Sequence, residues 1–394
     1  MLTLLIFLAV LAVLVLSHEF GHFIVARKNG MKVEEFGFGF PPRLCGIRRV
    51  GEGVNKHWQV VWGNKEVKAL EAESNLPGGT IYSFNWLPLG GFVKIKGEDG
   101  ENKDADSFGS KKAWQKAAVL VAGVGMNMVV AYVFIVIGYV VGLPQTLEGM
   151  NDVSRVPDRH IEVLQVIPGK PAQAAGVAVG DKIIALGSFE RPRLDELRAY
   201  VDQHRDEEIS VTIERNKETI IKKIHPAIYS ETGKGGLGVG IIEVGTVRYP
   251  LSNALYQGVI TTGTYLKGIV FGFGFIIKSL FTGGDAARMV SGPVGVAVMT
   301  GQVARLGFVH LLQFMAILSL NLAVLNILPI PALDGGRLLF VILTKLLRRT
   351  TASKYEQVIH TVGFVFLMVL VVAVTVKDLG AFKGVFVDFV HKVF

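Results

Sequence analysis

The chain has 394 residues, of which half are hydrophobic and 19% are charged, and its mean hydropathy is +0.44. A soluble domain usually has about a quarter of its residues charged, so this composition indicates a membrane protein. The net charge of +8 indicates basic cytoplasmic loops rather than nucleic-acid binding, because the sequence has no phosphate-cradling glycine loop or aromatic-basic motif. The single cysteine, Cys45, excludes an intramolecular disulfide and a cysteine-based metal cluster.

The first predicted element is a membrane-spanning helix within residues 1–30. Residues 2–16 are apolar without interruption, and apolar character resumes after a polar cluster at 17–22. A cleaved signal peptide fits less well, because no basic residues precede the apolar run and no small-residue cleavage site follows it. The stretch is long enough to cross a hydrocarbon core about 30 Å thick.

Residues 31–112 are predicted to form a loop on the cytoplasmic side that contains a β-hairpin. Glycine and proline punctuate this loop, and short runs of aromatic and β-branched residues alternate with turns. Two interpretations fit these residues equally well. The hairpin either inserts beside the spanning helices and offers an edge strand to an extended substrate, or belongs to an ordinary cytosolic loop domain.

Further apolar runs predict a second spanning helix at 113–143, a third at 308–348 and a fourth at 357–377. Basic clusters follow the first helix, precede the second and separate the third from the fourth, which places these three loops in the cytoplasm. The N-terminus, the region 143–250 and the C-terminus are then extracytoplasmic. One run, 254–281, is ambiguous, because its hydropathy also permits a span.

Residues 155–226 are predicted to form a small soluble domain of short strands and two helices. The segment from Pro168 through Gly180-Asp-Lys-Ile-Ile resembles a PDZ domain. Because PDZ folds receive a C-terminal peptide as an added strand, this domain either binds a peptide or acts as a size filter over a membrane site.

The strongest chemical signal is His18-Glu19-Phe20-Gly21-His22. On a helix, residues i and i+4 share one face, so both imidazoles can bind one metal ion. Glu19 can then act as the general base on a metal-bound water. Polar residues inside an apolar span are costly in lipid, which favours this function over a polar helix end at the interface.

The predicted third ligand is Asp334, which follows a helix break at Pro329 and Pro331. Broken helices at membrane depth are tolerated where they line a cavity. Asn321 and Asn326 lie on the preceding apolar stretch, where their amides either bind an unwound substrate or the oxyanion, or form hydrogen bonds between helices. The candidate substrate contacts are Asn321, Asn326, Pro329, Pro331, Gly91, Phe92, Val93 and Lys94.

These motifs together resemble the site-2 protease family, and in particular the bacterial regulator-of-sigma-E protease group. His-Glu-Phe-Gly-His resembles the first zinc motif of the family, and Leu333-Asp334-Gly335 resembles its second. Ala122-Gly-Val-Gly-Met-Asn127 is similar to the second-helix motif, although Val124-Gly125 stands where Gly-Pro is usual. Leu87-Pro-Leu-Gly-Gly-Phe-Val-Lys94 is similar to the membrane-inserted β segment, and Ser291-Gly-Pro-Val294 to the stretch before the third helix.

The resemblance implies a Zn²⁺ intramembrane metalloprotease in the inner (plasma) membrane, with its active site toward the cytoplasm. It implies transmembrane substrates such as anti-sigma factors or signal-peptide remnants. The sequence contains one PDZ-like domain where the sigma-E group has two, which weakens the transfer of that group's substrate. A multi-pass scaffold or transporter with a PDZ module is the alternative, and it predicts no zinc.

The predicted fold is a multi-pass α-helical membrane protein with about four spans, a membrane-associated β segment and an extracytoplasmic PDZ-like domain. Asp334 must reach the depth of His18 and His22, so the third helix must run inward. Residues 250–300 are therefore predicted to form extracytoplasmic amphipathic helices, or to re-enter without crossing. The alternative is a fifth span at 254–281 with a different zinc partner.

Overall fold

The computed structural model describes residues 2–51, 57–65, 67, 70, 78–98, 104–147, 156, 158–167, 169–205, 207–215, 218–228, 235–282, 291–347 and 352–381. The chain forms two compact units. Unit 1 comprises Met1–Gly138 and Leu255–Phe394, and unit 2 comprises Tyr139–Ala254.

Within the described residues the helices are α1 (Leu2–Lys28), α2 (Ala113–Val141), α3 (Pro171–Ala174), α4 (Leu194–Gln203), α5 (Leu251–Thr282), α6 (Pro293–Leu306), α7 (Phe308–Ile327), α8 (Asp334–Leu347) and α9 (Ala352–Ala381). The strands are β1 (Val33–Val50), β2 (His57–Trp62), β3 (Ile81–Ile95), β4 (Leu143–Thr146), β5 (His160–Val166), β6 (Lys182–Leu186), β7 (Phe189–Glu190), β8 (Ile209–Arg215), β9 (Glu218–Ile224), β10 (Ala227–Ile228), β11 (Gly235–Gly236) and β12 (Val239–Val247).

Five helices are long and apolar enough to cross a membrane, judged by length and composition alone: α1, α2, α7, Leu251–Ser279 of α5 and Val358–Gly380 of α9. The prediction of several spanning helices is confirmed in this sense. The prediction that 254–281 does not cross stays a prediction, because its single continuous helix passes the same criterion.

The predicted third span, 308–348, is divided into α7 and α8. The break holds Pro329 and Pro331, and proline cannot donate the backbone hydrogen bond that continues a helix. Ala332 in the break has a φ of +73°, and its N–H donates to His360 Nδ1 at 2.8 Å. The break therefore ends one helix and starts the next at Asp334.

The predicted β segment of unit 1 is a three-stranded sheet in the order β2-β1-β3. Both β1 and β3 are long and bent, so single residues of one strand have two partners in the other. Phe36 lies opposite both Val93 and Tyr82, and Tyr82 also lies opposite Ile47. In a simple hairpin each residue has one partner on the other strand, so this pairing is more complex than the predicted hairpin.

This sheet exposes an apolar face and also buries several polar side chains. One face exposes large apolar side chains, namely Ile47, Trp58, Val60, Trp62, Tyr82, Phe84 and Trp86. Buried polar side chains also belong to the sheet, namely Glu35, Arg43, Arg48, Ser83 and Asn85. Arg43 forms an ion pair with Glu35, and Arg48 donates to Gln59 Oε1 at 2.8 Å. An exposed apolar face is typical of a surface that contacts lipid or another protein.

Glycines allow α1 to approach both β3 and α2 closely. A Cβ at Gly91 would lie 2.7 Å from a methyl carbon of Leu16, and a Cβ at Gly21 would lie 2.3 Å from the Ala122 carbonyl oxygen. Neither position has room for a side chain. Both contacts bring the backbone of a neighbouring element against the polar turn of α1.

Unit 2 is built on a seven-stranded sheet in the order β4-β12-β5-β6-β8-β9, with β7 paired to β6. The apolar face of α4, which includes Leu194, Leu197 and Val201, packs in its core. The sheet extends past the predicted boundary at 226, because β12 pairs with both β4 and β5. Local patterns do not reveal such a pairing between distant segments, and the PDZ assignment stays a prediction.

An ion pair stabilises the turn before β6. Burial alone would raise the pKa of Asp181, but a hydrogen-bonded ion pair with Arg215 at 2.6 Å holds the pKa below its ordinary value. The Ala178 N–H also donates to this carboxylate at 2.8 Å.

Candidate metal centre

Three side chains from distant parts of the sequence converge inside unit 1. His18 and His22 lie one turn apart on α1, and Asp334 is the first residue of α8. Asp334 Oδ2 lies 2.9 Å from His18 Nε2 and 3.3 Å from His22 Nε2, and the two Nε2 atoms lie 3.1 Å apart. The structure thus brings together the three residues that the sequence predicted as ligands.

The donor atoms fit a small tetrahedral ion. Ligands about 2.0–2.1 Å from zinc in tetrahedral geometry would lie about 3.3–3.4 Å from one another, close to the observed separations. Among the residues that the structure describes, no donor makes a well-aligned hydrogen bond to Asp334 Oδ2, although this atom is buried. A buried carboxylate oxygen facing two imidazole nitrogens is the arrangement that a metal ion satisfies.

Helix α2 forms the wall behind the two histidines. A Cβ at Gly123 would lie 2.4 Å from His22 Nε2 and 2.7 Å from His18 Cε1, so the imidazoles occupy the space of a missing side chain. One turn before it, the Val119 carbonyl oxygen lies 2.8 Å from His22 Nδ1. One turn after it, Asn127 Nδ2 lies 3.2 Å from His18 Nδ1.

No role at the site was predicted for Val119, Gly123 or Asn127. The segment from Ala122 to Asn127 was predicted only as a motif of the second helix. The available signal was Asn127, because a side-chain amide in the middle of an apolar helix needs a polar partner. A backbone carbonyl or a glycine gives no comparable signal, because the sequence does not show which neighbour it faces.

Glu19 faces a different neighbour from the histidines. Its Oε2 accepts a hydrogen bond from the Val93 N–H at 3.1 Å. Val93 belongs to β3, which pairs with β1. Because its N–H donates to Glu19, that N–H points to α1 rather than to β1. The catalytic candidate thus lies beside the strand that was predicted to hold a substrate.

The other predicted residues on β3 lie in the same bent segment. Gly91, Phe92, Val93 and Lys94 pair in turn with Phe38, Gly37, Phe36 and Glu35 of β1. Lys94 Nζ also lies 3.5 Å from Glu34 Oε2. Gly91 packs against α1, so only part of this segment is available to a ligand.

The two predicted asparagines of α7 have different surroundings. Asn326 Nδ2 lies 3.4 Å from His18 Nε2, at the edge of the metal centre. Asn321 Nδ2 donates to the Ile317 carbonyl of its own helix at 2.9 Å, which supports neither of its two predicted roles. Pro329 and Pro331 lie in the break that precedes Asp334, and Pro331 packs against Gly363 of α9.

Comparison with known proteins decides the family. The model of peptidase family M50 matches residues 6–59 and 71–370. The chain belongs to this family. It is 33% identical to a Clostridium perfringens protein over 93% of this chain and 95% of that protein, and 30% identical to one from Clostridium acetobutylicum over 95% and 96%. It is 27% identical to a Staphylococcus aureus protein over 96% of this chain and 98% of that one. All three relatives carry the name "putative zinc metalloprotease".

Membership of family M50 makes the chain a zinc metallopeptidase with several membrane helices. The resemblance to site-2 proteases and the zinc cofactor expected from the sequence are thereby confirmed.

Proposed function

We propose that this peptidase hydrolyses peptide bonds within or near transmembrane segments of other membrane proteins. His18, His22 and Asp334 hold zinc, and Glu19 is the general base. The observation that carries this proposal is the convergence of three ligand atoms, all within 4.8 Å of one another, beside an acidic residue in an apolar helix. Ionisable residues at such a depth are costly and are retained for function.

Each side chain has a separate task in hydrolysis. Zinc supplies the Lewis acidity that activates water and polarises a carbonyl. The Glu19 carboxylate accepts the proton of the attacking water and then delivers it to the leaving amine. The Val119 carbonyl holds the His22 ring by its Nδ1–H, so that Nε2 faces the metal position.

The substrate binds as an opened strand along β3. Helical carbonyls are already hydrogen-bonded and shielded, so a transmembrane helix must unwind before its peptide bonds can be cut. The segment Gly91–Lys94 supports this role, because it lies beside the Glu19 carboxylate, which accepts from the Val93 N–H. Asn326 is close enough to the centre to hold a freed substrate carbonyl or the oxyanion.

The enzyme crosses the inner (plasma) membrane four times, with its active site toward the cytoplasm and unit 2 outside. Two contacts support the proposal that residues 250–300 begin and end on the same side of the membrane. Leu255 lies near the end of α2, where its carbonyl accepts from Tyr132, and Gly301 of α6 packs on Thr3 at the start of α1. Arg348 and Arg349 of the third basic cluster lie outside the described residues.

The exposed apolar face of the β sheet supports a position against the membrane. Trp58, Trp62 and Trp86 lie on it, and tryptophan is enriched where protein meets the lipid headgroups. Gly91 of β3 packs against Leu16, in the middle of the first span. A sheet attached at this depth has lipid rather than water beside its apolar face.

The partners follow from this location. The substrates are transmembrane proteins, of which anti-sigma factors and signal-peptide remnants are examples. Unit 2, as a PDZ-like domain, either binds a peptide of the substrate or filters substrates by the size of their outer domains.

The test uses the full-length protein in detergent or nanodiscs with a model transmembrane substrate. Glu19→Gln should retain one zinc per chain and lose hydrolysis by about 10²–10⁴-fold, because an amide cannot accept the proton. His18→Ala, His22→Ala and Asp334→Ala should each lose zinc. Cleavage by Glu19→Gln near the wild-type rate, or stoichiometric zinc in Asp334→Ala, would contradict the assigned roles.

A further inference from the structure

We propose that Asn127 is a positioning residue whose amide oxygen accepts the Nδ1–H of His18 and so fixes the tautomer that presents Nε2 to zinc. The inference rests on the zinc site proposed above. It assigns a role to a residue of α2 that binds neither the metal nor the substrate.

The geometry places the amide at the correct ring nitrogen. The side-chain amide of Asn127 lies 3.2 Å from His18 Nδ1, while His18 Nε2 points to Asp334 at 2.9 Å. Asn127 is fully buried, and its backbone carbonyl accepts from Ser319 Oγ at 2.8 Å. That bond ties the backbone of Asn127 to α7, so it fixes the position from which the amide reaches the imidazole.

The protonation of a metal-binding imidazole decides which end of the amide faces it. A neutral imidazole that offers the Nε2 lone pair to a metal carries its proton on Nδ1. The group beside Nδ1 must then accept a hydrogen bond, and only the amide oxygen of Asn127 can do so. With the amide nitrogen toward Nδ1, the proton would move to Nε2, the atom that faces Asp334.

The buried oxygen of Asn127 supports this orientation. Among the described residues, Asn127 Oδ1 has no hydrogen-bond partner when Nδ2 faces the ring. A half-turn of the amide exchanges its two ends, which have nearly the same shape, and places Oδ1 at the position of Nδ2, beside His18 Nδ1. After this exchange, Asn127 Oδ1 accepts the Nδ1–H that a zinc-binding His18 carries.

The other histidine shows the same arrangement. His22 Nδ1 lies 2.8 Å from the Val119 carbonyl oxygen, an obligate acceptor. Val119, Gly123 and Asn127 are spaced four residues apart, so they lie along one face of α2. That face thus presents an acceptor to each Nδ1 and leaves a gap at Gly123 for the rings between them.

Zinc affinity in the purified full-length protein, measured by chelator competition, tests the role directly. Asn127→Leu removes the acceptor and should weaken zinc binding by about 10–100-fold. Asn127→Asp keeps an acceptor and removes the donor, so it should bind zinc at least as tightly as the wild type. Thr300→Val is the matched control, because Thr300 is fully buried and its hydroxyl donates to the Val296 carbonyl of its own helix.

The visible spectrum of the cobalt-substituted protein gives a second readout of ligand geometry. It should match the wild type in Asn127→Asp and change in Asn127→Leu. Equal loss of zinc in both Asn127 variants, or wild-type affinity in Asn127→Leu, would overturn the role. Stoichiometric zinc in His18→Ala would instead refute the proposed zinc site itself, so the two failures are distinguishable.

Discussion

Gly123→Ala should abolish zinc binding although it adds a single methyl group. The new Cβ would lie 2.4 Å from His22 Nε2, 2.7 Å from His18 Cε1 and 2.8 Å from His18 Nε2. Ordinary contacts of a Cβ begin near 3.4 Å, so the His22 ring must move by roughly 1 Å or α2 must shift away. Movement of the ring separates ligand atoms that lie within 3.3 Å of one another. A shift of α2 instead removes the Val119 and Asn127 contacts that hold the two rings in place.

The size of the effect follows from the tolerance of a metal site. Metal-ligand distances are held within about 0.2 Å, so a displacement of 1 Å removes a ligand rather than weakening it. Loss of a group that hydrogen-bonds to a metal ligand costs about 10–100-fold in affinity, and loss of the ligand itself should exceed that range. We therefore expect a decrease of more than 100-fold, with activity lost in parallel.

Gly125→Ala provides the control on the same helix. A Cβ at Gly125 has no neighbour within 4 Å, and alanine favours a helix interior over glycine by about 1 kcal/mol. Gly125→Ala should therefore bind zinc normally and melt at the same temperature or higher. The measurements are the zinc content and the thermal unfolding temperature of both variants. Stoichiometric zinc in Gly123→Ala would refute the packing of the histidines against α2.

Two further predictions concern the membrane topology and unit 2. In a Cys45→Ser background, Asn253→Cys and Thr282→Cys should both react with an impermeant thiol reagent from outside, and opposite sidedness would mean that α5 crosses the membrane. Leu143 pairs with Val247, so residues 144–246 can be excised and the ends joined by a short linker. The excised enzyme should keep zinc and change its substrate range, and an unchanged range for outer domains of every size would contradict both roles of unit 2.

The convergence of His18, His22 and Asp334 was predictable because the signal of each residue is local. His18 and His22 share a helix face by their spacing, and a carboxylate after a proline break inside an apolar region suggested Asp334. The structure adds the convergence itself, at 2.9–3.3 Å between ligand atoms. A helix break is also readable from sequence, since proline removes a backbone donor wherever it occurs.

The contribution of the second helix was less predictable, because it comes from a backbone carbonyl and from the lack of a side chain at a glycine. Gly123 acts by having no side chain, and Val119 acts through a carbonyl that every residue possesses. The interlocked register of β1 and β3 and the position of β12 also depend on pairings between distant residues. Such pairings are fixed by burial in the folded chain, and no short sequence window contains them.

The surroundings of α1 explain how one apolar helix tolerates three polar residues in five. His22 is partnered by the Val119 carbonyl, His18 by Asn127 and Glu19 by the Val93 N–H, so the partners come from α2 and β3. Unsatisfied polar groups at membrane depth each cost several kcal/mol, so α1 cannot hold these residues without both neighbours. The same contacts place Glu19, the proposed base, beside β3, the strand proposed to hold the substrate. Stability of the polar turn and geometry of the proposed reaction therefore depend on the same few hydrogen bonds.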